Sequence, residues 1–143
     1  MSKKIILLAG PTASGKSRLA IQLTKKLNGE IINADSMQIY KEFSILSSRP
    51  NNKEIKKAKH HLYGIISVKK YFSAGDWLKL AKSKIKQCHK KKKTPIIVGG
   101  TGLYFNIITK GISKIPSIDI KTRNKVRSLF KKLGYKEFYK KLV

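Results

Sequence analysis

Eight residues, Gly10-Pro11-Thr12-Ala13-Ser14-Gly15-Lys16-Ser17, stand between a short apolar run, Ile5 to Ala9, and a stretch in which Leu19, Ala20, Leu23 and Leu27 recur at helical spacing. A GxxxxGK(S/T) pattern between strand and helix constrains the fold more than any other feature, because its chemistry works only in that setting. The glycines let consecutive backbone N–H groups converge on phosphate oxygens, the helix N-terminus adds partial positive charge, and Lys16 adds a full one. The Ser17 hydroxyl is placed to hold Mg²⁺. Gly10 to Ser17 are therefore expected to bind a di- or triphosphate.

The rest of the chain repeats the strand–helix alternation. Ile5 to Ala9 is continuously apolar, which predicts a strand buried on both faces. The first helix should stop at Asn28-Gly29, and Glu30 to Ala34 should form a second strand ending at Asp35. Residues 41 to 60 are polar, with a turn signal at Pro50-Asn51-Asn52 and a short lysine-rich helix after it. Leu62 to Val68 is expected as a third strand. Ser73 and Asp76 form an N-cap pair ahead of a helix whose apolar face is Trp77, Leu80, Ala81, Ile85 and Cys88. That helix ends in Lys90 to Lys93, where lysines complement the helix dipole in solvent. Pro95 to Val98 reads as another buried strand, running into Gly99-Gly100-Thr101-Gly102 and a helix from Leu103 to Lys110. This order predicts an α/β fold over residues 1–114, with a P-loop NTPase-like parallel sheet flanked by helices. Residues 115–143 change character. A helical stretch from Ser117 carries Val126, Leu129, Phe130 and Leu133, stops at Gly134 and restarts with Phe138, Tyr139 and Leu142, the beginning of a helical hairpin.

A chain of 143 residues suits one ordinary domain, and 41% hydrophobic content excludes general disorder. The charge is extreme: 33 Lys and Arg against 7 Asp and Glu leave +26, a field that attracts polyanions. Lysine accounts for 29 of the basic residues and isoleucine is the commonest apolar one, as base-composition bias also produces, but the field attracts phosphate backbones whatever its origin. Cys88 is alone, which excludes an intrachain disulfide and points to a reducing, cytoplasmic setting. No apolar run is long enough to span a membrane, and a monomer is expected.

Asp35 sits at the carboxyl end of a strand, the edge of an open α/β sheet where reacting groups lie. The alternative is a structural N-cap for a helix starting at Ser36. Thr101 offers a hydroxyl at the same edge. His60 and His61 would point to opposite sides of a strand with no third ligand near them in sequence, so no metal site is expected there. Trp77 is expected in the core. Arg18, Arg49, Arg123 and Arg127 stand out in so lysine-rich a chain, since arginine supplies a bidentate fork.

GPTASGKS, then INADSMQIY, then PIIVGGTGLYF, together with HHL at His60 to Leu62, YFSAGDW and ISKIPSID, resemble the N-terminal half of the bacterial tRNA dimethylallyltransferase (tRNA isopentenyltransferase) family, from Ile5 onward. The resemblance implies transfer of a dimethylallyl group from dimethylallyl diphosphate to N6 of the adenosine 3′ of a tRNA anticodon. Thr12 to Ser17, within the octapeptide Gly10 to Ser17 that reads as an ATP site, would hold the donor's diphosphate with Mg²⁺. Asp35 would be the base, with Lys16 and Thr101 completing the catalytic set. Asp35, Ser36, Met37, Gln38, Thr101 and Arg123 would contact the anticodon stem-loop, and residues 115–143 would begin a helical tRNA-binding insertion. Two departures stand out. Ser44-Ile45-Leu46-Ser47-Ser48-Arg49-Pro50 replaces the family's Asp-Ile-Gly-Thr-Ala-Lys-Pro, and family members are much longer, so the P-loop core is expected to lack later strands. A small-molecule P-loop kinase and a non-catalytic, truncated RNA-binding remnant remain open as alternatives.

Overall fold

In the computed structural model, residues 4–113 and 118–141 are described. The chain divides into two compact units, Met1–Ile112 and Ser113–Val143. The expected boundary at 114/115, the helix start at Ser117 and Leu142 lie outside the described residues.

The first unit contains β1 (Ile6–Ala9), α1 (Lys16–Leu27), β2 (Gly29–Asn33), α2 (Asn52–Lys57), β3 (His60–His61), α3 (Ala74–Lys90), β4 (Thr94–Gly99) and α4 (Gly102–Lys110). The strands form one parallel sheet in the order β1-β4-β2-β3. Helical crossovers put apolar side chains on both faces of the two central strands. Ile31, Ile96 and Val98 pack with Ala20 of α1 on one face, and Ile32 and Ile97 pack with Trp77, Tyr104 and Ile107 of α3 and α4 on the other. Trp77 is fully buried as expected, stacked on Tyr104 with ring centroids 4.2 Å apart.

Local signals place the helix ends. Asn28 caps α1 in the left-handed region, and Ser73 and Asp76 form the predicted capping box of α3. Asn51 and Glu54 form another at α2, the short lysine-rich helix.

Three expectations require correction. The run Ile5 to Ala9 is not buried on both faces: Ile5 and Leu7 are 43% and 41% exposed, because β1 stands at the sheet edge among the described residues, and a cavity of about 580 Å³ lies between Ile5, α3 and α4. The strand expected over Leu62 to Val68 does not form: β3 ends before it at His61, and within it stands one isolated bridge between Tyr40 and Ile66. Leu62 (φ 65°) and Gly64 (φ 56°) are left-handed and turn the chain off the sheet. On α3, Leu78 takes the buried place expected for Leu80, which faces solvent.

In the second unit, α5 (Ile120–Lys140) begins at the N-cap Asp119 and consists of two helical segments interrupted at Gly134 (φ 70°, ψ 176°), the stop read from the sequence. A glycine permits that left-handed break, and Phe130 and Phe138 meet edge to face across it at 5.3 Å.

Candidate active site

The loop after β1 is shaped by its own backbone. Ala13 (φ 62°) and Gly15 (φ 80°) are left-handed, which turns the chain tightly into α1. The Ser14 hydroxyl donates to the Pro11 carbonyl at 2.8 Å, and the Lys16 ammonium reaches that same carbonyl and the Ser14 oxygen. No side chain caps α1 and no acidic residue stands in its first turn. The helix N-terminus therefore presents its N–H groups and partial positive charge beside Lys16, an arrangement made for an anion.

Two other strand ends meet this loop. Ala34 donates to the Val98 carbonyl at 2.7 Å, and the chain then leaves the sheet at Asp35. No helix starts at Ser36, so the N-cap reading of Asp35 is corrected: residues 36–39 form bends and turns, and one Asp35 carboxylate oxygen accepts from the Met37 N–H at 2.9 Å. Such a turn needs a short acidic or amide side chain. β4 arrives from the other side at Gly99, where a Cβ would lie 2.1 Å from the Ala34 carbonyl oxygen; no other residue fits. A Cβ on Gly100 would be 3.3 Å from the Gly10 carbonyl and 3.9 Å from Asp35 Oδ2, which puts all three strand ends in contact distance. The Thr101 hydroxyl accepts from the Ser36 N–H at 2.9 Å and donates to the Ser36 hydroxyl at 3.3 Å.

A cavity of about 400 Å³ joins these parts, lined by Thr12 to Arg18 of the loop, Asp35, Gln38 and Gly99. Of the predicted site residues, Gly10, Pro11, Ser36, Met37 and Thr101 stand next to it without lining it, and Arg123 belongs to α5 in the second unit. Ser47, Ser48, Glu54 and Tyr63 line it and were not legible as site residues. The serines lie in an aperiodic segment, and only the tertiary bonds from the Gln38 amide to the carbonyls of Ser47 (2.8 Å) and Ser48 (3.3 Å) bring them in. Burial, reinforced by the Asp35 carboxylate, pushes the Tyr63 phenol well above its ordinary range, so it stays protonated. Of the arginines, Arg18 lines the cavity, while Arg49 lies over Gly64 and donates to the Tyr40 carbonyl at 3.1 Å.

The reading of His60 and His61 also changes, because tertiary structure brings distant ligand types to His61. Its Nε2 is 2.6 Å from Glu30 Oε2, and the Cys88 thiol lies 3.7 Å from the same oxygen. The three groups fall within 4.8 Å of one another, although 31 and 58 positions separate Glu30 from His61 and Cys88. Burial raises Glu30, but the hydrogen bond and charge of His61, with Lys59 and Lys91 nearby, outweigh it and hold the carboxyl below its ordinary value. Burial and then Glu30 push the Cys88 thiol up to about 11. The direct His61–Glu30 contact and the two lysines favour a structural pair over a cation here.

A parallel sheet, a glycine-rich phosphate loop opening α1 and an acid at the adjoining strand end define a P-loop NTPase-like α/β protein. The model of the family described as IPP transferase matches residues 38–143. The tRNA dimethylallyltransferase of Pelagibacter ubique is 59% identical over 140 residues, covering 98% of this chain and 45% of that protein. That of Hyphomonas neptunium is 45% identical over 129 residues, covering 90% and 41%. Among solved structures, the tRNA isopentenylpyrophosphate transferase of Bacillus halodurans superposes with a TM-score of 0.76 at 33% identity, over 93% of this chain and 44% of that one. A eukaryotic dimethylallyltransferase acting on tRNA gives 0.79 at 32% identity, over 92% and 35%. The chain belongs to the IPP transferase family, and it spans less than half the length of the curated relatives it matches. Among the described residues, no helix is long and apolar enough to cross a membrane.

Proposed function

We propose that this chain carries the donor site and the base of a tRNA dimethylallyltransferase. The observation that carries the reading is the meeting of Asp35 with the phosphate loop in one cavity. The exocyclic N6 of adenosine is a poor nucleophile, since its lone pair is delocalised into the ring. A carboxylate that orients the amine and takes its proton as the N6–C1 bond forms removes that obstacle. The C1–O bond of dimethylallyl diphosphate breaks in the same step, and the diphosphate leaves with added negative charge. Lys16 and the N–H groups of Thr12 to Ser17 stabilise that charge where it develops. The lining fits Mg²⁺, because the Ser17 hydroxyl is a hard oxygen in the cavity beside Lys16. Mg²⁺ held by Ser17 would neutralise charge on the diphosphate.

Gln38, in the cavity lining, and Ser36, Met37 and Thr101 beside it contact the tRNA where the adenosine enters, with the anticodon loop base turned outward to reach the cavity. Arg123, on α5, and the surrounding lysines grip the RNA backbone as part of the helical insertion. A monomer in the cytoplasm goes with this reading, since the single buried thiol suits a reducing compartment.

Calorimetric titration with dimethylallyl diphosphate and with ATP, followed by incubation of the labelled donor with tRNA, tests the proposal. Donor binding that diphosphate displaces, and label on the RNA, are expected. Phosphate transfer from ATP without labelling of RNA would establish a kinase. RNA binding with no affinity for the donor would establish a non-catalytic remnant.

A further inference from the structure

Asn33 is the last residue of β2 and is fully buried. Its side chain does not line the phosphate cavity, yet two of its three side-chain bonds hold Asp35, which does. Oδ1 accepts from the Asp35 N–H at 2.9 Å, while Nδ2 donates to the Asp35 carbonyl at 2.9 Å and to the Leu62 carbonyl at 3.1 Å. One side-chain amide thus holds both backbone polar groups of Asp35. An ordinary asparagine turn accounts for only one of those bonds. The Asn33 backbone is itself pinned, because its carbonyl accepts from the Trp77 indole N–H at 2.8 Å. An asparagine side chain offers two donors and one carbonyl acceptor, and here all are engaged.

This explains how a carboxylate placed beyond the end of a strand keeps its direction. The sheet pairing ends with Asn33 opposite Val98, and the Ala34 N–H makes the last bond to β4, so no ladder bond holds Asp35. Leu62, in its left-handed conformation, is held by the same Nδ2, which ties the turn after β3 to the base. We infer that Asn33 is the positioning residue for Asp35: it aims the carboxylate at the acceptor amine by clamping its backbone from below the sheet edge. The inference rests on the reading of Asp35 as the base, and the experiment separates the two.

Residue-resolved amide hydrogen exchange is measured on the chain, on Asn33→Ala and on Asn33→Ser. The expected result is that Asn33→Ala accelerates exchange at Asp35 and Met37 about tenfold more than at Ile32 and Ile97, since a local clamp and not the sheet has been opened. Asn33→Ser, whose hydroxyl can still accept from the Asp35 N–H, restores part of the Asp35 protection and keeps the measurement possible should the alanine variant fail to fold. Donor affinity by calorimetry stays at the parental value in both variants. Equal acceleration at Asp35 and Ile97, or none at Asp35, would overturn the inference by showing a purely structural asparagine. Failure of the base assignment has a different signature: Asp35→Asn retains turnover while the exchange pattern of the Asn33 variants persists.

Discussion

The Thr101 hydroxyl oxygen lies 2.9 Å from the Ser36 backbone nitrogen and accepts its N–H, a bond between residues 65 positions apart. It latches the end of β4 to the turn after β2, and the Thr101 N–H adds a second tie to the Ala34 carbonyl at 3.3 Å. Thr101→Ala leaves the partly buried Ser36 N–H without its acceptor and is expected to destabilise by about 1–3 kcal/mol. Thr101→Ser keeps the oxygen and should recover most of the loss. Urea denaturation of the three proteins checks this.

Asp35→Asn is nearly isosteric and can still accept from the Met37 N–H, so the fold and donor binding should survive. As the proton acceptor is lost, the single-turnover rate of prenyl transfer should fall by about 10² to 10⁴. A stable variant with the parental rate would remove Asp35 from the mechanism.

Lys16→Ala deletes a full charge that the loop brings to the diphosphate cavity. Charge-assisted hydrogen bonds contribute about 1.5–3 kcal/mol, so donor affinity should drop by roughly ten- to a hundredfold. RNA affinity, carried by the remaining basic surface, should change little. Calorimetry with donor and filter binding with tRNA report the two separately.

Glu30 makes the fold acid-sensitive. Its carboxyl is held below the ordinary glutamate value in the folded chain, so the unfolded chain binds the proton more readily. The stabilisation is present above about pH 4.3, the ordinary value, and is lost as pH falls through the lower folded value. His61→Ala removes the partner and should flatten this acid limb of the stability curve, read by thermal denaturation from neutral pH downward.

With a net charge of +26, tRNA binding should weaken steeply as salt rises, because each lysine on a phosphate displaces a counterion. A flat response in filter binding across added KCl would assign the lysines to composition bias alone.

The features legible in the chain were those carried by neighbours in sequence. The phosphate loop needs only eight consecutive residues between an apolar run and a helix, and the Ser73–Asp76 box and the stops at Asn28 and Gly134 likewise act within one turn. The sequence places Asp35 at a strand end, but only the turn over residues 36–39 removes the helix N-cap reading of its side chain. Contacts between distant segments decided the rest. Leu62 leaves the sheet where Asn33, 29 positions earlier, holds its carbonyl, and β1 exposes a face because strand order, which no local pattern encodes, puts it at the edge. Glu30, His61 and Cys88 meet, and Ser47 and Ser48 reach the cavity, for the same reason. Helix caps and phosphate loops form from the geometry of consecutive backbone groups, whereas buried polar pairs and strand edges exist only once the chain has closed on itself, so the sequence alone determined the former and the tertiary structure the latter.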